Sequence, residues 1–183
     1  MKIYLAGPQV FTPQGERFAR NKLIPAIQKS GHEPLFPSDT DTNPDDDRID
    51  IEDVMSQPMG KDRTRLLNTW AMQVGEKNQR DIDEADAVVA NLDEPDPDSG
   101  TAAEVGYAYG RDLPIIGYRT DRRTAGESEG VVVNLQLEYF IKASGGVICT
   151  RDQWAGEWSP DHYRFYHSEE EMIEQIIGAL HDL

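Results

Sequence analysis

The run Ala87-Val88-Val89-Ala90-Asn91-Leu92 constrains this chain more than any other stretch of it. With hardly a polar atom on either face, a strand built from it has to be covered on both sides, as in a parallel sheet flanked by helices. It is therefore central. Residues 93–100, DEPDPDSG, follow at once with the Pro, Asp and Gly content of a turn, and residues 101–110 then offer Val105 with the small Ala102, Ala103 and Ala108, which can pack closely as a helix.

The same strand, loop and helix alternation runs through the chain. Residues 2–6 (KIYLA) make an apolar first strand closed by Gly7-Pro8, and residues 14–29 place Phe18, Leu23, Ile24 and Ile27 near helical spacing before Gly31 ends the helix. Residues 33–36 read as a second strand, 66–85 as a helix, 113–117 (LPIIG) as a fourth strand, 134–142 as a helix and 146–149 as a fifth strand. Residues 37–68 read mainly as a surface loop or insertion, and residues 150–183 as a C-terminal tail and helix, with Ser168 and Glu171 forming a capping box. Such alternation predicts an α/β architecture: one domain of 183 residues with a flavodoxin-like, doubly wound, five-stranded parallel sheet. Ligands of such sheets bind beyond the carboxyl ends of the strands, which directs attention to residues 7–12, to 93–100 and to the segment after Gly117.

Charge excludes one class of partner. A formal net charge of −16 repels a phosphate backbone, so polymeric nucleic acid is not expected to bind. The same acidity suits a protein kept soluble at high salt, where screening removes the cost of self-repulsion. No apolar run approaches the length needed to span a bilayer and the start, MKIYLAGPQVF, is a poor secretory signal, so no membrane association is expected and a cytoplasmic location is. Cys149 is the one cysteine and sits in an apolar stretch, as a buried thiol would. His32, His162, His167 and His181 show no metal-ligand spacing, and no metal or organic cofactor is expected.

Glu104 is the residue with the most to offer chemically. It belongs to the first turns of an otherwise small and apolar helix that starts where the sheet's ligands bind, and the dipole there favours an ionised carboxylate. Gly100, Ala102, Ala103 and Gly106 leave room for a ligand beside it. Taken alone, Tyr4 would be a core aromatic and Asn134 a helix N-cap.

Four co-ordered pieces change that reading. They are Ile3-Tyr4-Leu5-Ala6-Gly7-Pro8 with Phe11; Asn78 and Ile82 leading into Ala85-Asp86-Ala87-Val88-Val89-Ala90; Asp98-Ser99-Gly100-Thr101-Ala102-Ala103-Glu104-Val105-Gly106; and Asn134-Leu135-Gln136. Together they resemble the nucleoside 2-deoxyribosyltransferase family, from residue 2 to about 140. The resemblance implies that Glu104 is the nucleophile, Asp98 a sugar-contacting carboxylate, and Tyr4 an aromatic beside sugar and nucleophile. It implies a substrate-binding set of Tyr4, Gly7, Asn78, Asp98, Gly100, Asn134 and Gln136. Asn134 would reach into a neighbouring subunit's site, in a dimer-based homo-oligomer with shared active sites. Where some members carry an Asp thought to contact the base, this chain has Asn78, and an amide cannot protonate a leaving base. Implied substrates are deoxynucleosides and free nucleobases, with deoxyribose passing through a covalent glutamate ester. Two other readings stand beside it: a deoxynucleoside 5′-monophosphate N-glycosidase, which Asp98 disfavours by like-charge repulsion, and a non-catalytic nucleoside or nucleotide-binding module.

Overall fold

Strand β1 (Lys2–Ala6) shows how the chain sorts itself: Ile3 and Leu5 face one side of the sheet and Tyr4 and Ala6 the other, all buried. A computed structural model of the protein describes residues 1–39, 49–121, 123, 132–151 and 162–183. Beside β1 lie β2 (Glu33–Leu35) and β3 (Ala87–Asn91), followed outward by β4 (Ile115–Tyr118), β5 (Ile148–Arg151) and β6 (Tyr163–Tyr166). The sheet has six strands in the order β2-β1-β3-β4-β5-β6, every pair parallel. Reversal of the winding between β1 and β3 is the switch point of a doubly wound fold.

Each face of the sheet carries its own core. On one, Ile3, Leu5, Ala87, Val89, Ile116 and Tyr118 pack with Phe18, Leu23, Ile27, Met172 and Ile176 from α1 (Pro13–Phe18), a π-helical segment (Ala19–Leu23), α2 (Ile24–Lys29) and α7 (Glu169–His181). The wide turn ends two residues before Pro25, whose ring cannot occupy a regular helix interior. On the other face, Tyr4, Ala6, Val88, Ala90 and Leu92 meet Ile82, Val105, Ala108, Leu137 and Ile141 from α4 (Lys61–Glu84), α5 (Ser99–Gly110) and α6 (Leu135–Ala143). Strand β3 is buried at every position, as its composition demanded. Cys149 is buried on β5, and its thiol is pushed up to about 12 by desolvation.

Two expectations are corrected. The sheet has a sixth strand, β6, inside the stretch taken as a C-terminal tail; it is an edge strand of four residues, half-buried, and Tyr-Arg-Phe-Tyr carries no clear alternation. Residues 37–68 are not simply a loop, because α3 (Ile51–Ser56) and the first turns of α4 lie there. Asp50 starts α3 by accepting from the Glu52 N–H at 2.8 Å, but only Val54 of that helix is buried, so its sequence shows no apolar stripe. Residues 40–48, with Asp45-Asp46-Asp47, lie outside the described residues.

Candidate active site

Small side chains bring α5 close to the sheet and leave one acid on the edge of its buried face. Asp98 is the N-cap, its Oδ2 accepting from the Thr101 N–H at 3.0 Å, and the buried Thr101, Val105 and Ala108 then follow at helical spacing. Glu104, next to Val105, turns toward β1 and α4. Its Oε1 accepts from the Tyr4 hydroxyl at 2.7 Å and from Asn78 Nδ2 at 3.2 Å. Both donors land on the same oxygen. No described residue donates to the other oxygen, Oε2, so it is the one open to a ligand.

The electrostatics differ from the expectation. Burial pushes Glu104 up to about 7, an effect that the Tyr4 hydrogen bond opposes, the nearby Asp98 charge reinforces, and the Asn78 hydrogen bond opposes more weakly. The anticipated stabilisation of its ionised form by the helix N-terminus does not prevail, because Asp98 already takes the Thr101 N–H and Glu104 lies beyond the first turn. Burial and then the Glu104 charge hold Tyr4 far above the ordinary phenol range, so its hydroxyl stays a donor.

The remaining expected residues fall in two places. Gly7, at φ 145, turns the chain out of β1; a Cβ there would lie 2.7 Å from Asn91 Cβ, so the position is closed to side chains. Gly100 is exposed in the first turn of α5, beside Asp98. Asn134 is the N-cap of α6, its Oδ1 accepting from the Gln136 N–H at 2.9 Å, while the Gln136 side chain is exposed. The structure thus gathers Tyr4, Asn78, Asp98 and Glu104, and places Asn134 and Gln136 at the head of the helix that packs on α5.

Three features escaped the sequence reading. Lys77 and Asp81, one helical turn apart on α4, form a buried ion pair beside Asn78, and the Asp81 charge adds to the upward push on Tyr4. An i, i+4 Lys and Asp pair was visible, but such pairs on a polar helix are ordinarily solvated. Asn78 Oδ1 is buried without a partner among the described residues, an acceptor left open beside Glu104. Arg119 is also buried and ties the loops after β3 and β4 together, donating to the carbonyls of Leu92, of Glu94 at 2.8 Å and of Arg123 at 2.6 Å. Asp93 completes that tie by accepting from Thr120 Oγ1 at 2.7 Å and the Asp121 N–H at 2.8 Å.

Comparison with known proteins gives the family and the fold. Residues 3–136 match the family described as Nucleoside 2-deoxyribosyltransferase. Among solved structures, a "2-desoxiribosyltransferase from Leishmania mexicana" is similar at 21% identity and a TM-score of 0.56, over 97% of each chain. A conserved protein from Enterococcus faecalis V583 follows at 22% identity and a TM-score of 0.54, over 96% of each chain. A CMP N-glycosidase from Clostridium botulinum is similar at 16% identity and a TM-score of 0.53, over 96% of this chain and 98% of that one. At these identities the likeness is one of fold. No curated protein matches significantly.

Proposed function

The chain belongs to the nucleoside 2-deoxyribosyltransferase family, and on that premise we propose that it moves 2-deoxyribose between nucleobases through a covalent ester on Glu104. The observation that carries this reading is the arrangement around one carboxylate: Tyr4 and Asn78 both hold Oε1, which orients Oε2 as the attacking atom. Oε2 would bond to C1′ of a deoxynucleoside as the C1′–N bond breaks, and the electron pair of that bond leaves with the base. A second base then attacks C1′ through its ring nitrogen and releases the carboxylate. Two inversions give net retention, with ping-pong kinetics.

Asn78 has no proton to give, so the departing base takes its proton from another source. Its Nδ2 is committed to Glu104, and its buried Oδ1 is available to a substrate N–H. Asp98 is the residue for the sugar end. A carboxylate there opposes a 5′-phosphate, because like charges at contact distance in a partly buried site cost several kcal/mol. Hydrolysis of a nucleoside 5′-monophosphate is the less favoured reading on that ground.

Incubation with deoxyinosine and adenine tests the proposal. Deoxyadenosine and hypoxanthine should accumulate together, and mass spectrometry of quenched protein should find a deoxyribosyl adduct at Glu104. Hypoxanthine without deoxyadenosine would instead mean an N-glycosidase, and no release of base at all would mean a binding module.

A further inference from the structure

Glu104 does not line the cavity described here. That cavity, about 320 Å³, opens at the carboxyl ends of β1, β3 and β4, between the turn after β1, the start of α1 and the first turn of α7. Its apolar walls, Phe18 and Met172, belong to the core on the α1 and α7 side of the sheet, whereas Tyr4 belongs to the opposite core. The 3-10 turn at Pro8–Phe11 leads from β1 to the cavity's α1 wall. Doubly wound folds commonly bind at this switch point.

Its polar groups define a ligand. Gln9 lines the cavity and is 4% exposed; its Nε2 donates to the Tyr118 hydroxyl at 2.6 Å, while its Oε1 is buried with no partner among the described residues. A buried acceptor left unpaired is costly, so it calls for a donor. The Tyr118 hydroxyl, accepting from Gln9 and held in its protonated form by burial, has its own hydrogen to donate. Acceptor and donor therefore stand side by side. Asp93, Glu94 and Glu169 also line the cavity and exclude an anion such as phosphate. Asp93 is already engaged by Thr120 and Asp121, Glu169 by Lys22, and the exposed Glu94 has the Arg123 charge near it, so no bare charge there demands a cation.

We propose that this cavity is a second ligand site, and that it takes a flat neutral heterocycle with an N–H beside an acceptor, the edge pattern of a free nucleobase, between Phe18 and Met172. The choice of a nucleobase rests on the transfer reaction proposed above, since only that reaction both consumes and releases free base. The cavity's shape and polarity stand without it.

Adenine titrated into the full-length protein with [13C]methyl-labelled methionine tests the site, the Met172 resonance being identified by its loss in Met172→Leu. The Met172 methyl signal should shift saturably with adenine and stay still with inorganic phosphate. Equilibrium dialysis should find two adenines per chain, falling to one in Gln9→Leu. Met172→Trp, which fills the cavity from its far wall, should have the same effect and serves if Gln9→Leu does not fold. A Met172 signal unmoved by saturating adenine, or one moved by phosphate alone, overturns the proposal. The two readings fail separately: base exchange with a silent Met172 removes this site only, whereas a shifting Met172 without base exchange removes the transferase reading and leaves the cavity's ligand standing.

Discussion

Glu104 is pulled two ways. As a nucleophile it must be ionised, yet burial against Tyr4, with Asp98 nearby, favours its protonated form and places it at about 7. Two measurable consequences follow from that conflict. The kcat/KM profile should have an acidic limb near pH 7, with activity falling as the pH drops through it, and Tyr4→Phe should move that limb upward by removing the stronger of the two hydrogen bonds to Oε1. A limb unmoved in Tyr4→Phe would detach Tyr4 from the nucleophile. Stability runs the opposite way. Because the folded-state value lies above the unfolded one near 4.5, the native state binds the extra proton between about pH 4.5 and 7, so stability falls as pH rises through that window. Glu104→Gln should abolish transfer and yet stabilise the fold at pH 8, by about 3 kcal/mol relative to its effect at pH 4; an equal change of urea midpoint at both pH values would show that the burial penalty is absent. At Asp98, replacement by Ser keeps an N-cap on α5 while removing the negative charge, so Asp98→Ser should fold normally and raise the ratio of activity on deoxyinosine monophosphate to that on deoxyinosine. An unchanged ratio would place Asp98 away from the 5′ position.

Elements differ in how tightly neighbours hold them. The turn that leads from α6 into β5 approaches the start of β4 so closely that a Cβ on Gly146 would lie 1.7 Å from the Ile115 carbonyl oxygen. Gly146→Ala should therefore force this turn away from β4 and destabilise the protein by about 3 kcal/mol, read as a lowered urea midpoint. Gly145 beside it faces open space and has φ +83, so its substitution is opposed only by the backbone conformation. Helix α6 is bound less completely. Leu137 and Ile141 are buried on its own sheet and Phe140 stacks on Tyr109 of α5 with ring centroids 4.6 Å apart, but Leu135 and Tyr139 are about half exposed at 49% and 57%. Part of the apolar surface of this helix is thus covered within the chain and part is left outside.

At the scale of the molecule, that remaining surface bears on assembly. A two-fold contact through α6 would bury Leu135 and Tyr139 and bring Asn134 toward a partner's site, in keeping with the shared sites that the family resemblance implies. Mixing inactive Glu104→Ala chains with inactive Asn134→Ala chains should restore part of the activity, since hybrid dimers hold one site with both residues intact. Exchange of subunits without recovery would leave each chain with its own complete site. Charge acts on the same scale. With 34 acidic against 18 basic side chains the folded chain repels itself, and screening shortens from about 10 Å at 0.1 M salt to about 3 Å at 1 M. The melting temperature should rise with KCl over that range by roughly 3 °C, corresponding to ~1 kcal/mol for a chain of this size. A fall would mean that exposed ion pairs, such as Lys2 with Glu84 at 2.8 Å, outweigh the net repulsion.

Sequence by itself determined the order of layers, the central place of β3 and the helix that carries Glu104, because apolar runs and their periods report burial directly. Where burial is slight the signal vanished: α3 buries one side chain and β6 is a half-buried edge, and both were missed. The residue types of the candidate site were legible as well, since Tyr4, Asn78, Asp98 and Glu104, which the structure brings together, stood in recognisable surroundings. Only the tertiary structure decided how they act on one another. That Tyr4 and Asn78 share a single oxygen of Glu104, and that burial outweighs the helix terminus in setting its proton affinity, depends on segments 26 and 100 residues apart along the chain meeting within hydrogen-bond distance. Periodicity along one chain carries no information about such a distance; the packing of α4 and α5 against β1 sets it.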